Sequence, residues 1–180
     1  MNRTDGRRSY VLFKKESGLD NLCVDRESFP IHIWQPSLFR LKPRGAPVSL
    51  SYWWFYHLIR VLRNTPSYTI FIVYEDGVMV HYSLASSKCF KFPFMEKHDI
   101  HIGPIWTSPE FRSRGLAHSA ISRIIMHYAK DNCRYWSMVD EENEPSMKVF
   151  ENLGFVSCGS VISNKRLLIP IYCSDMSAED

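Results

Sequence analysis

The chain has 180 residues, enough for one domain with a real core and too short for two comfortable ones. Apolar residues make up 45% and charged residues 23%, which excludes a mainly disordered, fibrous or collagen-like chain. The formal net charge of +3 is too mild to argue for a nucleic-acid partner by itself.

Residues 1–8 are polar and predicted loose. Residues 9–13 and 29–34 read as short strands, the second ended by Gln35-Pro36. Residues 41–47, with two prolines and a glycine, form a loop. Leu50, Trp54, Leu58, Val61 and Leu62 recur at helical spacing and predict a helix over 50–63, ended by Thr65-Pro66. Residues 68–74 and 78–84 are rich in β-branched and aromatic side chains, and Asp76-Gly77 between them predicts a hairpin. Residues 98–107 form a further strand, in which Gly103-Pro104 predicts a bulge or a broken ladder.

The helix over 115–131 has the clearest pattern, with Ala117, Ile121, Ile124, Ile125 and Tyr128 as its apolar stripe. A short strand follows over 134–139. A second short helix spans 143–153, with Asn143 as N-cap, Pro145 in its first turn and Gly154 as its stop. Two final strands are expected over 155–162 and 166–172, with a frayed tail from 174. Strands and helices mixed along one chain give an α/β or α+β class.

The five cysteines, Cys23, Cys89, Cys133, Cys158 and Cys173, form no C-x-x-C pair. Their odd number and spacing argue against a disulfide framework or a zinc ribbon and for reduced thiols in a cytoplasm. No metal cluster is seen, so no metal is expected. The polar, basic start lacks the apolar run of a secretory signal. The densest apolar stretch, 52–59, is far shorter than the roughly 20 residues of a membrane span.

One segment has the physics of an anion site. The strand over 100–107 leads through Ser108-Pro109-Glu110-Phe111 into Arg112-Ser113-Arg114-Gly115-Leu116-Ala117 and then a long helix. A helix start presents unpaired N–H groups and a positive dipole end. Gly115 lets a ligand approach the backbone, and Arg112 and Arg114 add positive charge. A diphosphate suits such a place.

Arg112-x-x-Gly115-x-Ala117 resembles the Q/R-x-x-G-x-G/A motif of the GNAT (Gcn5-related N-acetyltransferase) family, and the Pro-Glu-aromatic run before it is the family's usual one. Asn143-Glu144-Pro145-Ser146 through Leu153-Gly154-Phe155 resembles the family's second motif, in the right order and spacing. The resemblance covers about residues 68–162. It implies a single GNAT-like domain over 1–180, with 1–65 as the variable acceptor side and 68–162 as the acetyl-CoA-binding core. It also implies a central mixed, mostly antiparallel sheet, splayed at a bulge and flanked by helices.

The resemblance further implies acetyl-CoA as donor and an amine as acceptor, small-molecule or peptide, attacking directly in a ternary complex. By position, Ile105, Trp106 and Thr107 would line the pantetheine arm, and the backbone N–H of Ile105 would stabilise the oxyanion. The amides of Arg112, Ser113, Arg114, Gly115, Leu116, Ala117 and His118 would hold the pyrophosphate. Asn143 would bond the pantetheine region, with Ser146 and Phe150 close to the cofactor. His101 falls where histone acetyltransferases of the family carry a glutamate base, and an imidazole of pKa about 6.5 suits the task at neutral pH. His98, Asp99 and Glu75 are fallback bases. Many members place a tyrosine acid seven residues after the motif asparagine. Here that position is Phe150, which cannot donate; a thiol of pKa about 8.5 leaves passably as thiolate, and another tyrosine, Tyr135 or Tyr82, could substitute.

His57 and His81 read as packing or surface residues, and Cys133 and Cys158 as small buried hydrophobes. The aromatic content is high, at 11 Phe, 9 Tyr and 5 Trp. The run Tyr52-Trp53-Trp54-Phe55-Tyr56 covers more than one helix face, so it either widens the core with a homodimer contact or walls the acceptor site. Two other function classes remain open: a catalytically weak or inactive acyl-CoA-binding regulator, motivated by Phe150, and a nucleic-acid-associated protein, motivated by Arg3, Arg7, Arg8, Lys14, Lys15 and by Arg40, Lys42, Arg44. The low net charge argues against the latter.

Overall fold

The computed structural model describes residues 7–18, 29–37, 39–40, 42–46, 52–62, 68–88, 92, 94–129 and 133–164. In chain order these form strands Arg7–Lys15 (β1) and Ile31–Trp34 (β2), helix Tyr52–Leu62 (α1), and strands Tyr68–Glu75 (β3), Val78–Ser87 (β4) and Ile100–Thr107 (β5). A 3-10 turn, Pro109–Phe111, precedes helix Leu116–His127 (α2), strand Tyr135–Asp140 (β6), helix Glu144–Asn152 (α3) and strand Val156–Asn164 (β7). The strands make one mixed sheet in the order β2-β3-β4-β5-β6-β1-β7. The described ladders are antiparallel except that of β5 with β6. The expected α/β class with a mostly antiparallel sheet is therefore the observed one. The strand expected over 166–172 lies outside the described residues.

The chain divides into two compact units that interleave in sequence: Met1–Asn21, Lys88–His101 and Ala129–Asp180 form one, and Leu22–Ser87 and Ile102–Tyr128 the other. In the second unit, β3 and β4 form the expected hairpin. Asp76 and Gly77 both have positive φ, 49° and 75°, and the ladder closes at Glu75↔Val78. That is a two-residue turn whose twist matches the strands. Both strands are buried along nearly their whole length, because both sheet faces are covered. Val73 and Val80 pack with Leu116 of α2 on one face. Ile70, Ile72, Tyr82 and Leu84 pack with Trp34 and Tyr68 on the other. His57 of α1 meets the Tyr68 ring edge-on at 6.5 Å.

The apolar stripe expected along α1 is not the buried one at its C-terminal end. Val61 and Leu62 are exposed, Leu62 at 79%, while His57 is buried. His57 faces Tyr68, and Leu62, five residues on, lies round the helix from it; Val61 shares the His57 side and is exposed at the helix end. α2 ends at His127, four residues before the expected end. Tyr128 leaves the helical path and donates its hydroxyl to Thr69 Oγ1 at 2.7 Å.

In the first unit, β1 lies between β6 and β7 and extends beyond its expected span at both ends. Its Leu12 and Phe13 are buried, as are Tyr135, Trp136 and Val139 of β6. The end of α3 is a Schellman motif. Phe155 N–H bonds the Phe150 carbonyl at 3.0 Å, Gly154 N–H bonds that of Glu151 at 2.9 Å, and Gly154 has φ +78°. The rings of Phe150 and Phe155 meet edge-on at 5.0 Å, which adds the apolar contact that accompanies this cap.

Candidate active site

β5 and β6 pair at two positions only, Ile100↔Tyr135 and His101↔Trp136. Two residues further along β5 stands Gly103, with φ +142° and a cis peptide to Pro104. The expected irregularity at this dipeptide is present. Beyond it Ile105, Trp106 and Thr107 complete the strand. Trp106 is 38% exposed, and its ring stacks on Tyr82 of β4 at 5.8 Å.

The turn after β5 is held by its own residues. Ser108 N–H bonds the Val80 carbonyl at 2.9 Å, and Phe111 N–H bonds that of Ser108 at 2.9 Å. Phe111 packs against the cluster of Val73, Val80 and Leu116. The Arg114 guanidinium lies 4.7 Å over the Phe111 ring, and Arg112 Nε reaches the Thr107 carbonyl at 3.4 Å. Both cations are thus steered by the turn that carries them while remaining exposed. Ser113 and Gly115 adopt positive φ, 59° and 78°. Gly115 is the N-cap of α2 and offers no side-chain cap. The first helical bond runs from Ser119 N–H to the Gly115 carbonyl, so the amides of Leu116, Ala117 and His118 precede the ladder. Leu116 is buried and fixes the helix start to the sheet. A Cβ built on Gly115 meets nothing within 4 Å, so its φ, not crowding, is what calls for glycine. Exposed guanidinium groups, uncapped amides and a helix dipole fit a diphosphate.

The other expected residues have these places. The His101 ring packs on Phe92 at 4.6 Å. His98 is exposed, and Glu75 is exposed at the hairpin. Asp99 is fully buried and already occupied. Its Oδ2 accepts from Trp136 Nε1 at 2.9 Å and Glu96 N–H at 2.9 Å, and its Oδ1 from Arg134 Nε at 3.2 Å. A carboxylate so engaged is a structural clamp. Burial pushes the phenols of Tyr82 and Tyr135 up, which makes each a weaker acid than a free tyrosine.

Asn143 caps α3, its Oδ1 accepting from Ser146 N–H at 3.3 Å, and its side chain is exposed. Ser146 is half-buried in the first turn. Phe150 is 2% exposed, stacked on Phe13 at 5.7 Å.

A polar array in the second unit was not anticipated. His81 of β4 is fully buried, with Nδ1 2.8 Å from Thr107 Oγ1 and Nε2 2.9 Å from Ser83 Oγ. Its signal in the sequence is slight: His and Ser two apart on an otherwise apolar strand share one face.

Among the described residues, no helix is long and apolar enough to cross a membrane, and no group of three or more His, Cys, Asp or Glu is arranged to hold a metal. No curated protein matches the chain in sequence. Solved structures share its fold. A GNAT-family protein from Novosphingobium aromaticivorans superposes with TM-score 0.53 at 17% identity, over 90% of this chain and 67% of that one. A GNAT-family acetyltransferase from Colwellia psychrerythraea gives 0.54 at 15%, over 86% and 54%. A GCN5-related N-acetyltransferase-like protein from Streptococcus suis gives 0.51 at 15%, over 88% and 62%. The chain thus spans between 54% and 67% of these relatives' lengths. The family model of the Acetyltransferase (GNAT) family matches residues 27–155, which begins well before the two motifs and takes in most of the chain. The chain belongs to the GNAT acetyltransferase family.

Proposed function

We propose that the protein moves an acetyl group from acetyl-CoA to an amine by direct attack in a ternary complex. The observation that carries this reading is the turn through Arg112, Ser113, Arg114 and Gly115 into the uncapped start of α2. Acetyl-CoA, when bound, supplies a thioester open to attack. The amides of Arg112 to His118 hold its diphosphate, with the Arg112 and Arg114 charges beside them. Ile105, Trp106 and Thr107 offer backbone groups to the pantetheine arm, and the Ile105 N–H is the donor for the carbonyl oxygen. The exposed Asn143 side chain, with Ser146 and Phe150 in the same helix, serves the cofactor from the second motif.

The acceptor must be neutral to attack, and lysine-like amines titrate near ~10.4. His101 is the base of this reading, since Asp99 is engaged in its clamp. In this reading neither Tyr82 nor Tyr135, each made a weaker acid by burial, replaces the acid that Phe150 lacks, and the thiolate leaves without one. A thiol of pKa about 8.5 permits that. The acceptor side includes α1 and β2. The odd number and the spacing of the five cysteines fit a reducing compartment such as a cytoplasm.

A thermal-shift series with acetyl-CoA, longer acyl-CoAs and CoA tests the cofactor site through ligand linkage. No shift with any of them would sink the reading. An amine panel followed by release of free thiol then tests transfer. A second reading, an acyl-CoA-binding regulator, is favoured by the engaged Asp99 and the hydroxyl-less Phe150. It predicts binding without turnover for every amine.

A further inference from the structure

We propose that His81 is a positioning residue for the cofactor segment: held by Ser83, its imidazole fixes Thr107, the last residue of β5, and through Thr107 the anchorage of Arg112. This deepens the acyl-CoA reading and rests on it. Ser83 Oγ lies 2.9 Å from His81 Nε2, His81 Nδ1 lies 2.8 Å from Thr107 Oγ1, and the Thr107 carbonyl accepts from Arg112 Nε at 3.4 Å. These contacts lead from the buried sheet to the first cation of the anion-binding turn.

Three observations give the array its direction. His81 and Ser83 are fully buried, so water does not compete for the ring. Burial also lowers the imidazole from its usual 6.5 to about 4 and keeps it neutral at pH 7. A neutral imidazole has one donor and one acceptor, so one hydroxyl must donate to it and the other accept from it. The Thr107 hydroxyl is thereby committed to the sheet interior, and the residue serves a ligand through its backbone. The backbone bond from Ser108 N–H to the Val80 carbonyl, 2.9 Å, ties the next residue to the same strand. The end of β5 is held to β4 on both its side chain and its main chain, where the pyrophosphate turn begins. An apolar pair at these positions would pack without hydrogen bonds and leave the Thr107 rotamer to choice. A satisfied buried polar network selects one arrangement.

The test is titration of acetyl-CoA and CoA into the purified wild type and the variants His81→Gln, His81→Asn, Thr107→Val and the double variant His81→Gln/Thr107→Val. Asn places its amide where Nδ1 lies and can still hold Thr107; Gln places its amide nearer Nε2 and cannot. The expected result is about five- to tenfold weaker acetyl-CoA binding for His81→Gln and for Thr107→Val, the loss of one buried hydrogen bond. The double variant should lose no more than either single one, and His81→Asn should stay within about twofold of wild type. A role in packing alone would lower the melting temperature of the variants, add in the double variant and leave the affinity of folded protein unchanged. That outcome overturns the proposal. Thr107→Val is nearly isosteric and removes no buried ring, so it answers the question if His81→Gln does not fold. A wild type that binds neither acetyl-CoA nor CoA overturns the cofactor reading itself, and the proposal with it.

Discussion

Trp136 donates its indole N–H to Asp99 Oδ2 at 2.9 Å, next to the two residue pairs where β5 and β6 run parallel. Arg134 binds the same carboxylate, with Nη2 at 3.1 Å from Oδ2, and also reaches Glu96 at 2.7 Å. The Ile100 N–H meets the Arg134 carbonyl at 2.9 Å. Asp99 therefore sets the start of the parallel ladder on which His101 stands. Asp99→Ala should destabilise the protein by about 3 kcal/mol, since it leaves the buried indole and the Glu96 N–H without their acceptor and takes from Arg134 one of its two carboxylates. Asp99→Asn should cost less, because one oxygen can still accept. Urea denaturation reads both, and an Asp99→Ala variant as stable as wild type would refute the clamp.

The buried imidazole of His81 gives stability a defined pH dependence. Burial lowers its folded pKa from 6.5 to about 4. Below about 6.5 the unfolded chain takes up a proton that the folded chain refuses until about 4. The contribution is thus complete above 6.5 and is lost as pH falls toward 4. For a fully buried ring it is on the order of 3 kcal/mol. Carboxylates titrate over part of the same range, so the informative quantity is the difference between wild type and His81→Asn. The variant should show the flatter fall in denaturation midpoint between pH 6.5 and 4. Parallel curves would show that the ring takes its proton equally well in both states.

Gly115 separates backbone strain from ligand binding. Its φ of +78° costs a residue with a Cβ about 1–2 kcal/mol, while the Cβ itself would meet no atom of the chain within 4 Å. Gly115→Ala should therefore lose only about that much in chemical denaturation. The acetyl-CoA thermal shift should fall by much more than the loss in stability explains, because the methyl group stands where the diphosphate would meet the amides. A shift equal to that of wild type would move the diphosphate away from Gly115.

Local signals were legible in the chain wherever one residue settles a backbone conformation. Asp76-Gly77 closed the hairpin it predicted, and Asn143 and Gly154 bound α3 at both ends. Gly115 marked the start of α2 for the same reason. The features that escaped are joined across long separations. His81 and Thr107 are 26 residues apart, and Asp99 and Trp136 are 37 apart. No periodicity reports such pairs, because each depends on the order of strands in the sheet and not on the residues beside it. On α1 the exposed end of the expected stripe, Val61 and Leu62, and the burial of the polar His57 against Tyr68 likewise depend on what the helix packs against, which its own periodicity does not report.

Phe150 decides whether the missing acid can be restored by one atom. By the family resemblance the position would be that of a tyrosine acid, yet here the ring is 2% exposed and lies against Phe13 at 5.7 Å and Phe155 at 5.0 Å. A hydroxyl added to a ring so buried among aromatic side chains must be desolvated and should cost about 1–3 kcal/mol. Phe150→Tyr should therefore melt at a lower temperature than wild type without gaining acetyl transfer, measured as free thiol released with a competent amine. The thiolate then departs unassisted, and the rate of wild type should not fall at high pH, where a phenol acid would ionise. A faster Phe150→Tyr enzyme whose rate drops above about pH 9 to 10 would show the opposite: that the ring edge reaches the departing sulfur and that only the hydroxyl is missing.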